Sequence, residues 1–182
     1  EHLAVFSKLI RYVLESSESE LVPLSQELKM LDIYVDMEKR RLSHEFTYKH
    51  HISPVVSEET LIPPLILQPF IENAIIHGLV PKEGSKNLEV NIDSVDHVLK
   101  CIVIDDGIGR QNADSKVQSI DKKSMAIELT EKRIALLSQD EKNTDDNVRI
   151  HDLYSEDGQS IGTKVEVMLP LILRHETQNH LN

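Results

Sequence analysis

The spacing of apolar positions makes the chain helical at first, then mixed. Val5, Phe6, Leu9, Ile10, Tyr12, Val13 and Leu14 recur at helical intervals within residues 3–14. The serine- and acid-rich stretch 15–20 interrupts that pattern. A second helix is expected after Pro23, because a helix start has no use for the N–H that proline lacks. Leu24, Leu28, Leu31, Val35 and Leu42 lie close to one stripe of it, with charges around Glu38 to Arg41. Two amphipathic helices in succession suggest a helical hairpin or part of a helical bundle.

The pattern then changes. Phe46 to Ile52 alternates loosely, as a short strand does. Leu61 to Val80 is long and apolar on one side and reads as a helix that starts at Pro63-Pro64. Pro69 removes one intrahelical hydrogen bond and should kink or restart it. Leu88 to Val95 and Val98 to Ile104 form a predicted hairpin, and the continuous second run is expected to be buried on both faces. A helix is predicted over Lys122 to Ser138. Val148 to Tyr154 and Ile161 to Leu169 form a closing hairpin turning at Ser155-Glu156-Asp157-Gly158. Residues 108–125 are polar and weakly patterned, which predicts a mobile loop, and residues 174–182 read as a frayed polar tail.

Composition narrows the classes. The 182 residues suit one domain, or a domain with a helical appendage. With 31 acidic against 20 basic side chains, the net charge of −11 argues against broad nucleic-acid binding, which needs a basic face. The longest apolar run, Leu61 to Ile71, carries Pro63, Pro64, Gln68 and Pro69 and is too short to span a bilayer. No signal-peptide pattern opens the chain, which begins in mid-pattern as a cut fragment would. Cys101 is the one cysteine, so no intramolecular disulfide can form, and its strand context predicts a buried inert thiol. His50 and His51 are adjacent on a predicted strand and point to opposite faces, which argues against a metal pair.

Two short segments carry the chemistry. In Glu72-Asn73-Ala74-Ile75-Ile76-His77-Gly78, Asn73 and His77 are four residues apart and share one helical face. A neutral amide oxygen can ligate magnesium while phosphates supply the other hard oxygens. His77 can donate to a phosphate. A buried helix with Asn73 on a backbone group and His77 on the surface gives the same pattern. In Asp105-Asp106-Gly107-Ile108-Gly109, a buried strand delivers Asp105 to its end. A carboxylate there can accept from an exocyclic amine and so select adenine over guanine. Gly107 and Gly109 allow close backbone approach, and Ile108 can pack on a base. A plain acidic turn has the same composition. The two segments lie roughly thirty residues apart with a hairpin between, which strengthens both.

In this order these segments, with Gly162-Thr163 on a late strand, resemble the GHKL ATP-binding fold of histidine kinases, gyrase B, Hsp90 and MutL. More narrowly, the run from Pro64 through Gln68-Pro69-Phe70-Ile71-Glu72-Asn73 to Leu79 is similar to LytS/YehU-type sensor histidine kinases. Leu9-Ile10-Arg11-Tyr12 and Glu38-Lys39-Arg40-Arg41 match further parts of that pattern. The resemblance runs from about residue 3 to residue 170. It implies an α+β sandwich whose mixed sheet is covered on one face by helices, preceded by N-terminal helices. The implied division is a helical dimerisation remnant over 1–43, an ATP-binding catalytic domain over 44–172 and a tail over 173–182.

The resemblance also implies roles. Asn73 would ligate Mg2+, and Asp105 would read the adenine amine. Gly107 and Gly109 would shape the pocket, Ile108 and His77 would contact ATP, and residues 110–125 would form a lid. Thr163 would join the hydrogen bonds around Asp105, with Gly162 admitting the backbone, and Glu72 would polarise the reacting groups. The implied partners are ATP, a phosphoacceptor histidine segment, a response regulator and a second copy of the chain. The implied setting is a cytoplasmic domain of a parent anchored in the inner membrane.

Two departures from the family bear on activity. No histidine here stands in the Pro-His-Phe-like context of the phosphoacceptor. Where the family often reads Gly-x-Gly-Leu ahead of the helix, this chain has Ser124-Met125-Ala126-Ile127. Ala126 lacks glycine's left-handed freedom, while Ser124 can donate to a phosphate. The resulting expectation is a histidine kinase catalytic region that phosphorylates a histidine elsewhere. The alternative is a degenerate nucleotide-binding or dimerisation scaffold. A hydrolytic GHKL ATPase would want a carboxylate one turn before Asn73, where Pro69 stands.

Overall fold

The computed structural model describes residues 7, 10–12, 19–42, 45–110, 125–137 and 147–173. The helix expected over 3–14 falls mostly outside this set; the residues of it that are described, 7 and 10–12, are helical. Residues 111–124 of the expected lid, with Ser124, and all but residue 173 of the expected tail also lie outside it.

Helix α1 (Leu24–Leu42) follows the short strand β1 (Val22–Pro23) directly. Its first orphan N–H groups, on Leu24 and Ser25, are satisfied by the carbonyls of Thr60 and Glu58 at 2.8 and 3.0 Å. β1 pairs antiparallel with β3 (Leu61–Ile62), so the chain before α1 is stitched to the segment that leads into the helix starting at Gln68. The expected stripe is buried at Leu24, Leu28, Leu31 and Val35 and partly buried at Leu42. These residues share one core with the sheet. α1 therefore packs with the strands.

Five strands form the main sheet in the order β2, β4, β5, β7, β6. They are β2 (Thr47–Ile52), β4 (Asn87–Val95), β5 (Val98–Asp105), β6 (Val148–Tyr154) and β7 (Ser160–Pro170). Among the described residues only the β2–β4 pair of this sheet is parallel. Asp96 and His97, both at positive φ, make the two-residue turn that twists β4 into β5. Leu88, Val90 and Ile92 alternate on the covered face with Leu99, Cys101 and Val103 beside them. β5 is not buried on both faces as its apolar run suggested. Lys100, Ile102 and Ile104 on its second face are half-exposed, because helices cover one face only and Lys100, Lys164 and Glu166 form ion pairs on the other.

The long helix expected over Leu61 to Val80 also divides differently. Leu61–Ile62 is strand, and helix α2 begins only at Gln68, with Pro69 in its first turn where no intrahelical N–H is needed. Gln68–Asn73 is α-helical, and the chain continues as a π-helical turn over Ala74–Leu79. The Val80 N–H reaches back five residues to the Ile75 carbonyl at 2.9 Å. This π segment packs on β4, β5 and β7, and helix α3 (Met125–Leu137) packs on β7.

Candidate functional site

Asp105 ends β5 on the helix-covered face and is 4 % exposed. Its Oδ1 accepts the Gly107 N–H at 2.9 Å, and the backbone N–H of Thr163, directly opposite in the β5–β7 register, donates to the same carboxylate. Burial pushes this carboxyl up to about 6, and the neighbouring Asp106 adds to the effect. The two N–H donors and Lys82 oppose the rise. Asp106 behaves in the opposite way. Burial alone would raise its pKa, but the Asn87 side chain and backbone N–H, at 2.7 and 2.8 Å, and the Lys82 ammonium at 2.9 Å hold it below the usual range.

The end of α2 is pressed against this turn. The Gly78 carbonyl accepts the Ile108 N–H at 3.1 Å. A Cβ on Gly107 would lie 2.5 Å from the Gly78 backbone, and a Cβ on Gly78 would lie 2.7 Å from Asp105 Oδ1. Neither glycine has positive φ; what both supply is room for backbone to meet backbone. Gly109 and Gly162 do take left-handed or mirror backbone, at φ 72° and 146°. A side chain on Gly109 would collide with Ser160 Oγ, and one on Gly162 with the Asp105 carbonyl. The buried Ser160 hydroxyl has no hydrogen-bond partner among the described residues.

Asn73 and His77 are both exposed on α2, beside this cluster in sequence and joined to it through Gly78. Because the π turn lies between them, they are not related by simple α-helical spacing. Glu72 is exposed, and its field reaches Tyr34 and Arg41 of α1. Burial raises the Tyr34 hydroxyl above its ordinary pKa, and Glu72 and Glu38 add to this. Arg41 grips the Glu38 carboxylate through Nε at 3.1 Å and Nη2 at 2.6 Å. The structure thus joins Asp105, Gly107, Ile108, Gly109, Gly162 and Thr163 into one cluster, whereas Glu72 faces α1. Arg110, at the root of the expected lid, is held to Asp152 of β6 by two bonds of 2.7 and 2.9 Å.

Sequence reading passed over Gly78, Lys82, Asn87 and Ser160. A glycine inside a helical pattern was the available signal for Gly78. Asn87 could have been found by counting pairs back from the 96–97 turn, which sets it opposite Asp106. Among the described residues no cluster of three or more His, Cys, Asp or Glu could hold a metal ion. An amide oxygen such as that of Asn73, joined by phosphate oxygens of a ligand, is a donor set that would suit magnesium. Cys101 is fully buried and its thiol is pushed up to about 12, mainly by burial, which fits an inert side chain.

Solved structures share this architecture. The histidine kinase domain of the Erythrobacter litoralis EL346 blue-light activated histidine kinase matches with a TM-score of 0.57 and 12% identity, over 94% of this chain and 75% of that one. The mycobacterial sensor histidine kinase MprB matches at 0.55 and 12%, over 85% and 98%. The fold is accordingly that of histidine kinase catalytic domains, an α+β sandwich with a mixed five-stranded sheet.

Sequence comparison narrows the class. A family model described as histidine kinase matches residues 1–46. Sensor protein LytS of Oceanobacillus iheyensis is 31% identical over 107 residues, 59% of this chain and 18% of that protein. Sensor histidine kinase YpdA of Escherichia coli is 29% identical over 103 residues, 57% and 18% respectively. Over a little more than half of its length the chain is thus similar to sensor histidine kinases of the LytS and YpdA kind. The stretch it shares covers about a fifth of the length of these relatives.

Proposed function

We propose that this region binds Mg-ATP and directs the γ-phosphoryl group to a histidine outside the chain, for relay to a response regulator. The observation that carries the reading is Asp105, a carboxylate buried at a strand end and aimed by two backbone N–H groups. A group held so firmly suits one donor, such as the adenine amine. Asn73 on the adjoining helix supplies the neutral oxygen for magnesium. Gly162 and Gly109 bring backbone close to the pocket, and His77 and Ser124 donate to phosphates. Magnesium-bound phosphate chemistry rests on positioning and charge neutralisation, which this set of side chains supplies without a dedicated hydrolytic base. In the whole protein, two copies associate and the parent is anchored in the membrane. No described helix is long and apolar enough to cross one.

The test is calorimetric titration of the chain with an unhydrolysable ATP analogue and magnesium, beside Asn73→Ala and Asp105→Ala. Binding that is lost in both variants supports the reading. Absence of binding in the wild type overturns it and favours the degenerate scaffold. Phosphoryl transfer to an added upstream histidine segment then separates kinase from binding module.

A further inference from the structure

Glu27 is a carboxylate with no solvent exposure, inside the apolar stripe of α1. An uncompensated charge there would be strongly unfavourable, so its partners matter. Oε2 accepts the Leu65 N–H at 2.8 Å and Oε1 accepts the Leu67 N–H at 3.2 Å. The Tyr12 hydroxyl donates to Oε2 at 3.3 Å. From the other side, Arg133 of α3 donates through Nη2 to the Pro64 carbonyl at 2.7 Å. Leu65 is held at φ 58°, a left-handed conformation unusual for leucine. Three parts of the chain thus converge on residues 64–67, the four residues that launch α2.

The chemistry of that launch needs a carboxylate. Leu67 is the N-cap of α2 and has no side-chain oxygen with which to cap it. Two N–H groups, two residues apart, point into the core and need acceptors. One carboxylate supplies both, one oxygen to each. A glutamine would offer one oxygen and turn its NH2 against the other N–H. Asn73 lies six residues beyond Leu67 in the same short helix, so a shift at the launch reaches Asn73 with little to absorb it. Tyr12 belongs to the N-terminal helical residues, within the part matched by the histidine kinase family model.

We propose that Glu27 is a positioning residue that links the N-terminal helical residues, through Tyr12, to the placement of the Asn73 helix. The inference deepens the nucleotide reading and rests on it for its consequence; its geometry rests on the hydrogen bonds alone. Movement of the N-terminal helical residues around Tyr12 would be felt at the nucleotide site through one buried carboxylate.

The experiment uses the whole chain, with amide exchange by NMR and calorimetric titration with the unhydrolysable ATP analogue and magnesium. The variants are Glu27→Gln, Tyr12→Phe, the two combined, and Val35→Ala, a core truncation on the same helix. In Glu27→Gln the Leu65 and Leu67 amides exchange at least about tenfold faster, and affinity falls by about tenfold. Tyr12→Phe alone weakens binding about two- to threefold and adds nothing in the Glu27→Gln background, as expected when both act through one contact. Val35→Ala lowers the thermal midpoint and leaves affinity within about twofold of wild type. Wild-type affinity in Glu27→Gln, or a loss no larger than that of Val35→Ala, overturns the positioning role. A Tyr12→Phe loss that persists in the double variant overturns the link to the N-terminal helix. Failure of the inference leaves wild-type binding intact, whereas a wild-type chain that binds no analogue overturns the nucleotide reading and the positioned site together.

Discussion

Asp105→Asn is expected to stabilise the fold at neutral pH while removing nucleotide binding. The Asp105 carboxyl has an ordinary value of 3.8 and is pushed up to about 6 in the fold, chiefly by burial. That difference corresponds to roughly 3 kcal/mol of disfavour for the ionised form in the folded state. The folded chain holds this proton more tightly than the unfolded chain. The contribution of Asp105 to stability is therefore whole below about pH 4 and is lost as pH rises through about 6. Asparagine keeps the shape and one accepting oxygen for the Gly107 N–H but carries no charge. Part of the gain is given back where an NH2 replaces the second oxygen, leaving a net stabilisation of about 1–2 kcal/mol at pH 7. For a chain of this size that raises the melting temperature by about 2–8 °C. Thermal melts of wild type and variant from pH 4 to pH 8 read the effect, and the gap should close toward the acid end. Calorimetry on the same samples should show nucleotide binding lost in the variant, and weakening in the wild type as pH falls through about 6. A variant that melts lower than wild type at pH 7, or a gap that ignores pH, would refute the argument that burial strains the ionised carboxylate.

Gly107→Ala should lose about 2 kcal/mol, since the new methyl meets Gly78 backbone at 2.5 Å and no flexible atom can yield. Gly84→Ala is the control: it has positive φ but nothing within 4 Å, so about 1–2 kcal/mol of stability is lost to backbone strain and affinity is untouched. Urea titrations with calorimetry separate them, and wild-type stability in Gly107→Ala would contradict the close approach of α2 to the turn. His97→Gly should stabilise by about 0.5–1 kcal/mol, because His97 sits at φ 63° in the two-residue turn where glycine is favoured. A lower melting temperature in that variant would show that the His97 side chain holds the hairpin more than its backbone strains it.

Much of the fold was legible because its signals are periodic. The α1 stripe, the β4–β5 hairpin and the closing hairpin all follow from side-chain alternation with turn residues between. Where the reading failed, the cause was tertiary. β5 is apolar on both faces in sequence, yet which face is covered depends on where helices lie. The two-residue strand Leu61–Ile62 is too short for any period; it exists because β1 is brought alongside it. Among site residues, Asp105, Gly107, Gly109, Gly162 and Thr163 were legible as a group, and register brings them together. Glu27 was not. A glutamate amid leucines looks like an error in a stripe until Leu65 and Leu67, about forty residues on, present their N–H groups.

The two halves of the candidate site are held by different means, and this has a consequence for control. Asp105 and Thr163 belong to the sheet, where neighbouring strands hold the backbone through ladder hydrogen bonds, and Gly107 follows two residues after β5. Asn73 and His77 belong to α2, whose π turn is a less regular element. α2 is pinned to its surroundings at its two ends. At its start, Glu27 and Arg133 hold residues 64–67; at its finish, Gly78 meets Gly107 and Ile108. The distance between the oxygen that would hold magnesium and the carboxylate that would read adenine is set by these two pins together. A signal need not reach either ligand-binding group to change that distance. It need only act on a pin, and of the two, the one at the start is tied through Glu27 to Tyr12 and the helical residues beside it.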